Sequence, residues 1–388
     1  MLGIVVLVQI VIAAVTQGIP TLAPWIRADL GLSLGEVGLL GTAISVGTVV
    51  CIATAGWAVD AYGEKVVQVV GGVSVGLAAA LFAGLPFGAL ALAPLVVVGM
   101  GAAAPTPSGS AAVMGWFPPG LRGLAMGVRQ TGTAFGGAAA AAFAPPLAEA
   151  LGWRAAVLSG AACCILTGLG CVFTYTEAAG RQAIRHSSRV PLRALITRDV
   201  LLVSVAGGLL PFAQFAIITY LALYLSQAHD IPVTTGAELL LAAQLAGGVG
   251  RIVWGIASDR LFASRRRPPL IAAGLMATAG TQILAVLPRE VPLAWLALLA
   301  VLLGFSAIGW QGNWVALISE LAGPTAQGRT VGLSMTVTYT GVAVGPPLVG
   351  FLVDRVGSWP IAWTVLAALL GLGSLLLLPV RERRHSES

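Results

Sequence analysis

Apolar runs of about twenty residues follow one another from end to end of this 388-residue chain, parted by short polar or glycine- and proline-rich breaks. A run of that length is what one α-helix needs to cross the hydrocarbon core of a bilayer. Lipid offers the backbone no water, so only helices and closed barrels cross it, and continuous apolar runs point to helices. Only 9% of the residues are charged, against about 25% in a soluble protein, and the mean hydropathy is +0.93. The spacing predicts twelve helices, over about 2–25, 37–59, 66–85, 90–116, 123–147, 155–175, 200–225, 237–258, 269–287, 292–321, 330–353 and 359–379. The first follows Met1 directly, with no basic stretch before it and no cleavage site after it. It is expected to stay as a span and not to leave as a signal peptide. The fold class is therefore all-α and integral to a membrane.

The breaks between runs carry charge unevenly. Of the 21 basic residues, 15 fall in one alternate set of breaks and four (Arg27, Arg154, Arg289 and Arg355) in the other, while Arg129 and Arg251 lie inside runs. Short loops rich in lysine and arginine stay in the cytoplasm. This predicts both termini on the cytoplasmic side of the cell inner (plasma) membrane. The formal charge of +6 is then a signal of topology, and no nucleic-acid partner is expected. The densest basic cluster, within residues 177–198, reads as a cytoplasmic linker whose natural partner is the anionic headgroup layer of the bilayer. It divides the chain into an N-terminal six-helix bundle over 1–176 and a C-terminal one over 199–380, with a cytoplasmic tail over 381–388. Cys51, Cys163, Cys164 and Cys171 all fall in apolar runs, without disulfide or metal-ligand spacing, so no metal or cofactor is expected.

One device occurs twice. Gly56-Trp-Ala-Val-Asp60-Ala-Tyr-Gly63-Glu-Lys65 closes the second run, and Gly255-Ile-Ala-Ser-Asp259 closes the eighth, 199 residues later. Arg122 and Arg329 each open an odd-numbered run and lie 207 residues apart, close to the same offset. Duplication of a six-helix unit in parallel accounts for both. The pattern Gly-x-x-x-Asp-x-x-Gly-x-Lys at Gly56, Asp60, Gly63 and Lys65 resembles the loop 2–3 signature of the major facilitator superfamily, with Gly255 and Asp259 as its degenerate second copy. The resemblance covers the whole chain. It implies a transporter of two pseudo-symmetric bundles with a substrate site near the midplane between them. Asp60 and Asp259 are expected at helix ends, where each can cap the positive N-terminus of a neighbouring helix and bias the gate, or else serve only to structure its loop.

Arg251 precedes Asp259 by eight residues, about 12 Å along a helix and near the middle of a core about 30 Å thick. A charge at that depth costs about 2.5–3.5 kcal/mol even on the insertion scale, and usually marks an ion or substrate pathway. With no carboxylate at that depth, its natural counterion is an anionic substrate, and the planar guanidinium suits a carboxylate or phosphate with two parallel bonds. The alternative is that Arg251 runs to the cytoplasmic surface and meets helix-end carbonyls or Asp259. Arg129 lies seven residues past Arg122, about 10 Å in. It either joins Arg251 in one positive site or belongs to the inner gate.

Softer candidates surround the two arginines. Gln130 adjoins Arg129, and Gln244 shares a helix face with Arg251. Gln9, Thr16 and Gln17 share a face of the first helix, as Gln214, Tyr220 and Tyr224 roughly do in the seventh. Trp310, Gln311, Asn313 and Trp314 crowd one turn of the tenth, and Thr336 and Tyr339 stand in the eleventh. Buried amides and aromatic hydroxyls can orient a substrate or join helices to one another. Pro105 and Pro107 predict a kink or unwound segment in the fourth helix.

An arginine four residues before the motif glycine of helix 8 also resembles the pattern of monocarboxylate transporters and oxalate–formate exchangers, which implies an organic anion. This chain has Gly247 where the former carry an aspartate, and its eleventh run lacks the lysine of the latter. His186, His229 and His385 fall in loops or the tail, and no acidic residue is placed near the midplane. Neither an enzyme nor a proton relay in the core is expected. The reading is a monomeric secondary active or facilitative transporter of a small, carboxylate-type organic anion. A proton-coupled exporter of drugs or other hydrophobic compounds is the rival within the class, and a non-transporting membrane receptor or scaffold the rival outside it.

Overall fold

Twelve helices long and apolar enough to cross a membrane build the computed structural model, which describes residues 1–86, 89–117, 119–177, 196–322 and 327–382. The first bundle comprises α1 (Leu2–Thr21), α2 (Leu34–Tyr62), α3 (Glu64–Gly84), α4 in two segments (Ala89–Ala102 and Pro105–Trp116), α5 (Pro119–Leu151) and α6 (Trp153–Thr174). The second comprises α7 (Arg198–His229), α8 (Val233–Arg260), α9 (Arg267–Val286), α10, α11 (Gln327–Val356) and α12 (Trp359–Leu377). The α10 span runs from Leu293–Leu303 through a π-helical turn, Gly304–Ile308, to Gln311–Ala322. Among the described residues there is no strand. The even number of spans puts Met1 and Glu382 on one face, called here the terminal face, opposite the far face. The linker cluster over 178–195 and the tail over 383–388 lie outside the described residues.

Departures from the expected boundaries have local causes. The first span stops at Thr21, and a separate short helix, Ala23–Leu30, follows with Pro24 in its first turn and Gly31 closing it in the left-handed region at φ 65°. The second span starts at Leu34, earlier than expected, because Ser33 and Glu36 form a capping box. The break in α4 falls at Ala103–Ala104, just before Pro105, as the two prolines require. The π-helical turn in α10 was not expected.

The two bundles close on each other at the far face. Asp354, near the end of α11, accepts from the Leu34 and Gly35 amides at 3.1 and 2.7 Å. With the Ser33–Glu36 pair, this satisfies all four amides at the start of α2, which no turn of helix could serve. The cap is thus shared between bundles. The buried Tyr220 hydroxyl of α7 lies 2.7 Å from the Leu34 carbonyl and 2.8 Å from that of Pro346, so one side chain touches both helices. One turn deeper, Thr42 donates to the Ala343 carbonyl. The helices approach so closely that a Cβ at Gly38 would lie 2.4 Å from the Pro347 backbone.

This closure can be loosened in two ways. In a protein whose four native cysteines are replaced and which carries one thiol at Ser45, Gly38→Ala and Asp354→Ala are each expected to raise labelling by an impermeant maleimide from the far face. Losing hydrogen bonds to a carboxylate should move the conformational equilibrium about tenfold. Labelling at the parent rate in both variants would show that the closure rests elsewhere.

Candidate functional site

Near the middle of the molecule a cavity of about 140 Å³ opens between α1, α2, α4, α5, α7 and α11. Its wall is uncharged and largely apolar, with polar groups from Gln9, Thr16 and Gln17 of α1, Ser45 and Thr48 of α2, Thr106 of α4, Thr133 of α5 and Tyr339 of α11. Apolar residues such as Ile12, Ile44, Phe215 and Val342 complete it. Helix periodicity explains the α1 contribution, since positions 9, 16 and 17 fall on one face. Amide bonds tie that face to its neighbours. Gln9 donates to the Thr133 hydroxyl at 2.8 Å, and Gln17 to the Thr133 carbonyl at 2.9 Å. Gln244 of α8 donates to Gln17 Oε1 at 2.9 Å, a hydrogen bond between the bundles. Because the Thr133 carbonyl can only accept, both amide orientations are determined, and Gln244 Oε1 is left buried without a donor.

Neither arginine lines this cavity; Arg129 reaches its wall through Gln9 and Pro105, and Arg251 is linked to Arg129 through Gln130. Arg129, only 3% exposed, donates through Nη1 to Gln9 Oε1 at 3.2 Å and to the Pro105 carbonyl at 3.3 Å, and through Nη2 to Gln130 Oε1 at 3.0 Å. Its Nε is buried with no acceptor. Arg251, partly buried, donates through Nη1 to the Gln130 carbonyl at 3.1 Å. Its Nε lies 3.5 Å from the Ile308 carbonyl in the π-helical turn of α10, a long contact. Among the described residues every partner of both guanidinium groups is neutral. The ion pairs among the described residues lie elsewhere, at helix ends and loops: Arg154–Asp29, Arg266–Asp259, Arg266–Glu320 and Arg289–Asp230. Two positive charges therefore sit in the protein interior, linked through Gln130 and lacking a carboxylate among the described residues. No group of three or more potential metal ligands occurs among these residues either.

The other predicted residues separate into those at the cavity and those elsewhere. Thr16, Gln17 and Tyr339 line it; Gln244 reaches it through Gln17. Tyr220 works at the far-face closure. Trp310 donates to the buried Gln214 at 2.9 Å, and Asn313 to the Trp254 carbonyl at 3.0 Å, so both hold α10 against α7 and α8. Gln311 is partly buried on the same turn. Thr336 is exposed and bonds its own helix at the Gly332 carbonyl. At the terminal face, Asp259 does not cap a neighbouring helix: it takes Arg266 Nη1 at 2.6 Å. A charged donor seven residues along the same loop outcompetes a helix terminus for it. That pairing also removes Asp259 as a partner for Arg251. Gly63 turns at φ 93°, and the Lys65 amide donates to Glu177 at 3.2 Å. Gly56 and Gly255 both face open space. The Asp60 side chain lies outside the described residues.

Several cavity residues escaped the sequence reading. Ser45 and Thr48 carried a usable signal, because with Gly41 and Ile44 they form one stripe along α2. Thr133 and Thr106 carried none, since isolated threonines in apolar helices most often bond their own backbone.

The family model described as Major Facilitator Superfamily matches residues 5–346 and, in a second match, 239–388. An uncharacterized MFS-type transporter of Mycobacterium tuberculosis is 32% identical over 94% of this chain and 81% of its own length. A probable sulfoacetate transporter of Cupriavidus necator is 27% identical over 96% of this chain and 91% of its own. A hexuronate transporter of Bacillus subtilis is 24% identical over 92% and 88% respectively.

The amide pair supplies a test of the geometry. A Cβ at Gly137 would lie 2.6 Å from both Gln17 Oε1 and Gln244 Nε2. Gly137→Ala should push the pair apart and slow transport several-fold, with expression and thermal stability near those of the parent. An unaltered transport rate would mean that the cycle does not depend on this contact.

Proposed function

The chain belongs to the major facilitator superfamily, and on that premise we propose that it carries a small organic anion across the membrane by alternating access of its two bundles. It is a multi-pass membrane transporter and not an enzyme. The observation that carries the anion reading is the pair of interior arginines, Arg129 buried and Arg251 partly so, whose acceptors among the described residues are all neutral. An unpaired charge in the interior is costly, and such groups are kept where they meet an ion or a substrate. Relatives named for sulfoacetate and hexuronate agree with an anion. The cavity volume suits a small one: an apolar cavity of about 150 Å³ takes up benzene, a molecule of about six heavy atoms. The basic loops support termini on the cytoplasmic side, so that the closed far face is the outer one.

Thermal stabilisation of the purified protein by sulfoacetate, oxalate, lactate, phosphate, glucose and a cationic dye tests the class. Anions alone should stabilise; stabilisation by the dye alone would replace this reading with the drug exporter. For the anion that binds most tightly, Arg129→Gln and Arg251→Gln should each weaken binding about ten- to a hundredfold, equivalent to about 1.5–3 kcal/mol. Both variants should fold, because each removes an unpaired internal charge. Arg251→Lys should fail nearly as badly, since a point charge cannot reproduce the planar fork. Parent-like affinity in both Gln variants would end the anion reading.

The cavity wall holds neither a carboxylate nor a histidine, which favours facilitated diffusion or exchange. Uptake of a permanently ionised sulfonate into proteoliposomes should therefore leave a trapped pH dye unchanged. A substrate-dependent proton flux would instead point to a relay outside this cavity.

A further inference from the structure

Gln130 touches both arginines at once, in two different ways. Its side-chain Oε1 accepts from Arg129 Nη2 at 3.0 Å, within the first bundle. Its main-chain carbonyl accepts from Arg251 Nη1 at 3.1 Å, across the interface between bundles. Arginine has no acceptor, so the amide oxygen must be the atom that faces Arg129. One residue thus orients one guanidinium and anchors the other, and it does so without charge. Arg129 Nε, meanwhile, is buried and unpartnered.

Resting on the anion reading above, we propose that Gln130 is a positioning residue that aligns Arg129 and Arg251 as a single anion trap, and that its neutrality leaves their charge to the substrate. A carboxylate at this position would differ by a single atom yet face Arg129 from the same distance. It would form the ion pair that the site lacks among the described residues, so the protein would carry its own counterion and substrate would have to displace it. The amide supplies the acceptor geometry and leaves the electrostatic vacancy in place.

Two substitutions separate charge from shape. Gln130→Glu keeps size and acceptor but adds charge; Gln130→Met keeps size but removes the acceptor. Each full-length variant and the parent would be purified, and sulfoacetate, oxalate, lactate and phosphate tested by thermal shift and calorimetry. For the anion that binds the parent, Gln130→Glu should weaken affinity by about tenfold or more, as expected when a charged hydrogen-bond partner is already taken. Its melting temperature without anion should equal or exceed the parent's, and added anion should no longer raise it. Gln130→Met should melt lower than the parent, keep its anion-induced rise and lose affinity only about threefold. A residue with a purely structural role would lower the melting temperature in both variants and would not distinguish them. Parent-like affinity and anion-induced stabilisation in Gln130→Glu would overturn the inference, as would equal losses in the two variants. If none of the four anions binds the parent, the anion reading falls and this inference falls with it.

Discussion

A guanidinium group in the membrane interior needs acceptors, and here side-chain amides, one carbonyl of a regular helix and carbonyls at helix irregularities share that task. The α4 helix breaks at Ala103–Ala104, and the carbonyl of Pro105, just past the break, receives Arg129. The α10 helix widens into a π turn over Gly304–Ile308, and its carbonyls turn toward α8: Phe305 takes the Trp254 indole at 2.9 Å, while Ile308 faces Arg251. A regular helix saturates its carbonyls internally, and lipid supplies no water to replace them. The breaks therefore supply part of what the two charges need, and the Gln9 and Gln130 side-chain amides and the Gln130 carbonyl of the unbroken α5 supply the rest. Carbonyls and amides satisfy donors without neutralising charge, so the arrangement is tolerated but incomplete.

The same economy of partners explains why the two faces of the molecule behave differently. At the far face the key acceptors lie across the interface: Asp354 caps α2 of the other bundle, and Tyr220 reaches Leu34. At the terminal face the described contacts stay within a bundle. Glu64 takes the Tyr175 hydroxyl at 2.6 Å, Glu177 receives the Lys65 amide, and Arg266 joins Asp259 to Glu320. A bundle whose terminal-face charges are satisfied internally can swing without leaving them unpaired. This asymmetry is the physical content of a closed far face and a more independent terminal face.

How much of this could be read from sequence depended on the range of the interaction. Span number and the break at Pro105 follow from local chemistry, namely run length and missing amides, and were legible. The interior depth of Arg251 was legible too, because membrane helices fix depth along the chain. Where the arginines find their acceptors was not, since Gln130 and Ile308 belong to other helices and nothing local marks a carbonyl as available. Asp354, just past the end of the eleventh run, carries no local signal of its role. Only packing against Leu34 and Gly35 makes it a cap. Asp259 misled in the opposite direction: its motif suggested a helix terminus, while a nearer cation decided its partner.

In the proposed cycle, one bundle must rock against the other, and that motion stretches the contacts that cross between them. Gln17–Gln244 is a neutral pair, worth about 0.5–1.5 kcal/mol, whereas Arg251 on the Gln130 carbonyl is charge-assisted and worth about 1.5–3 kcal/mol. Losing both would cost roughly 2–4.5 kcal/mol, enough to make the rearranged state rare if nothing replaced them. An anion arriving at the arginines brings acceptors stronger than the carbonyl it displaces. A ligand of even millimolar affinity supplies about 4 kcal/mol on the standard scale, of the same order as the contacts to be broken. Only the part of that energy that differs between the two states can shift their balance. Acceptors that follow Arg251 as it leaves Gln130 would provide such a difference, and a ligand bound equally in both states would not.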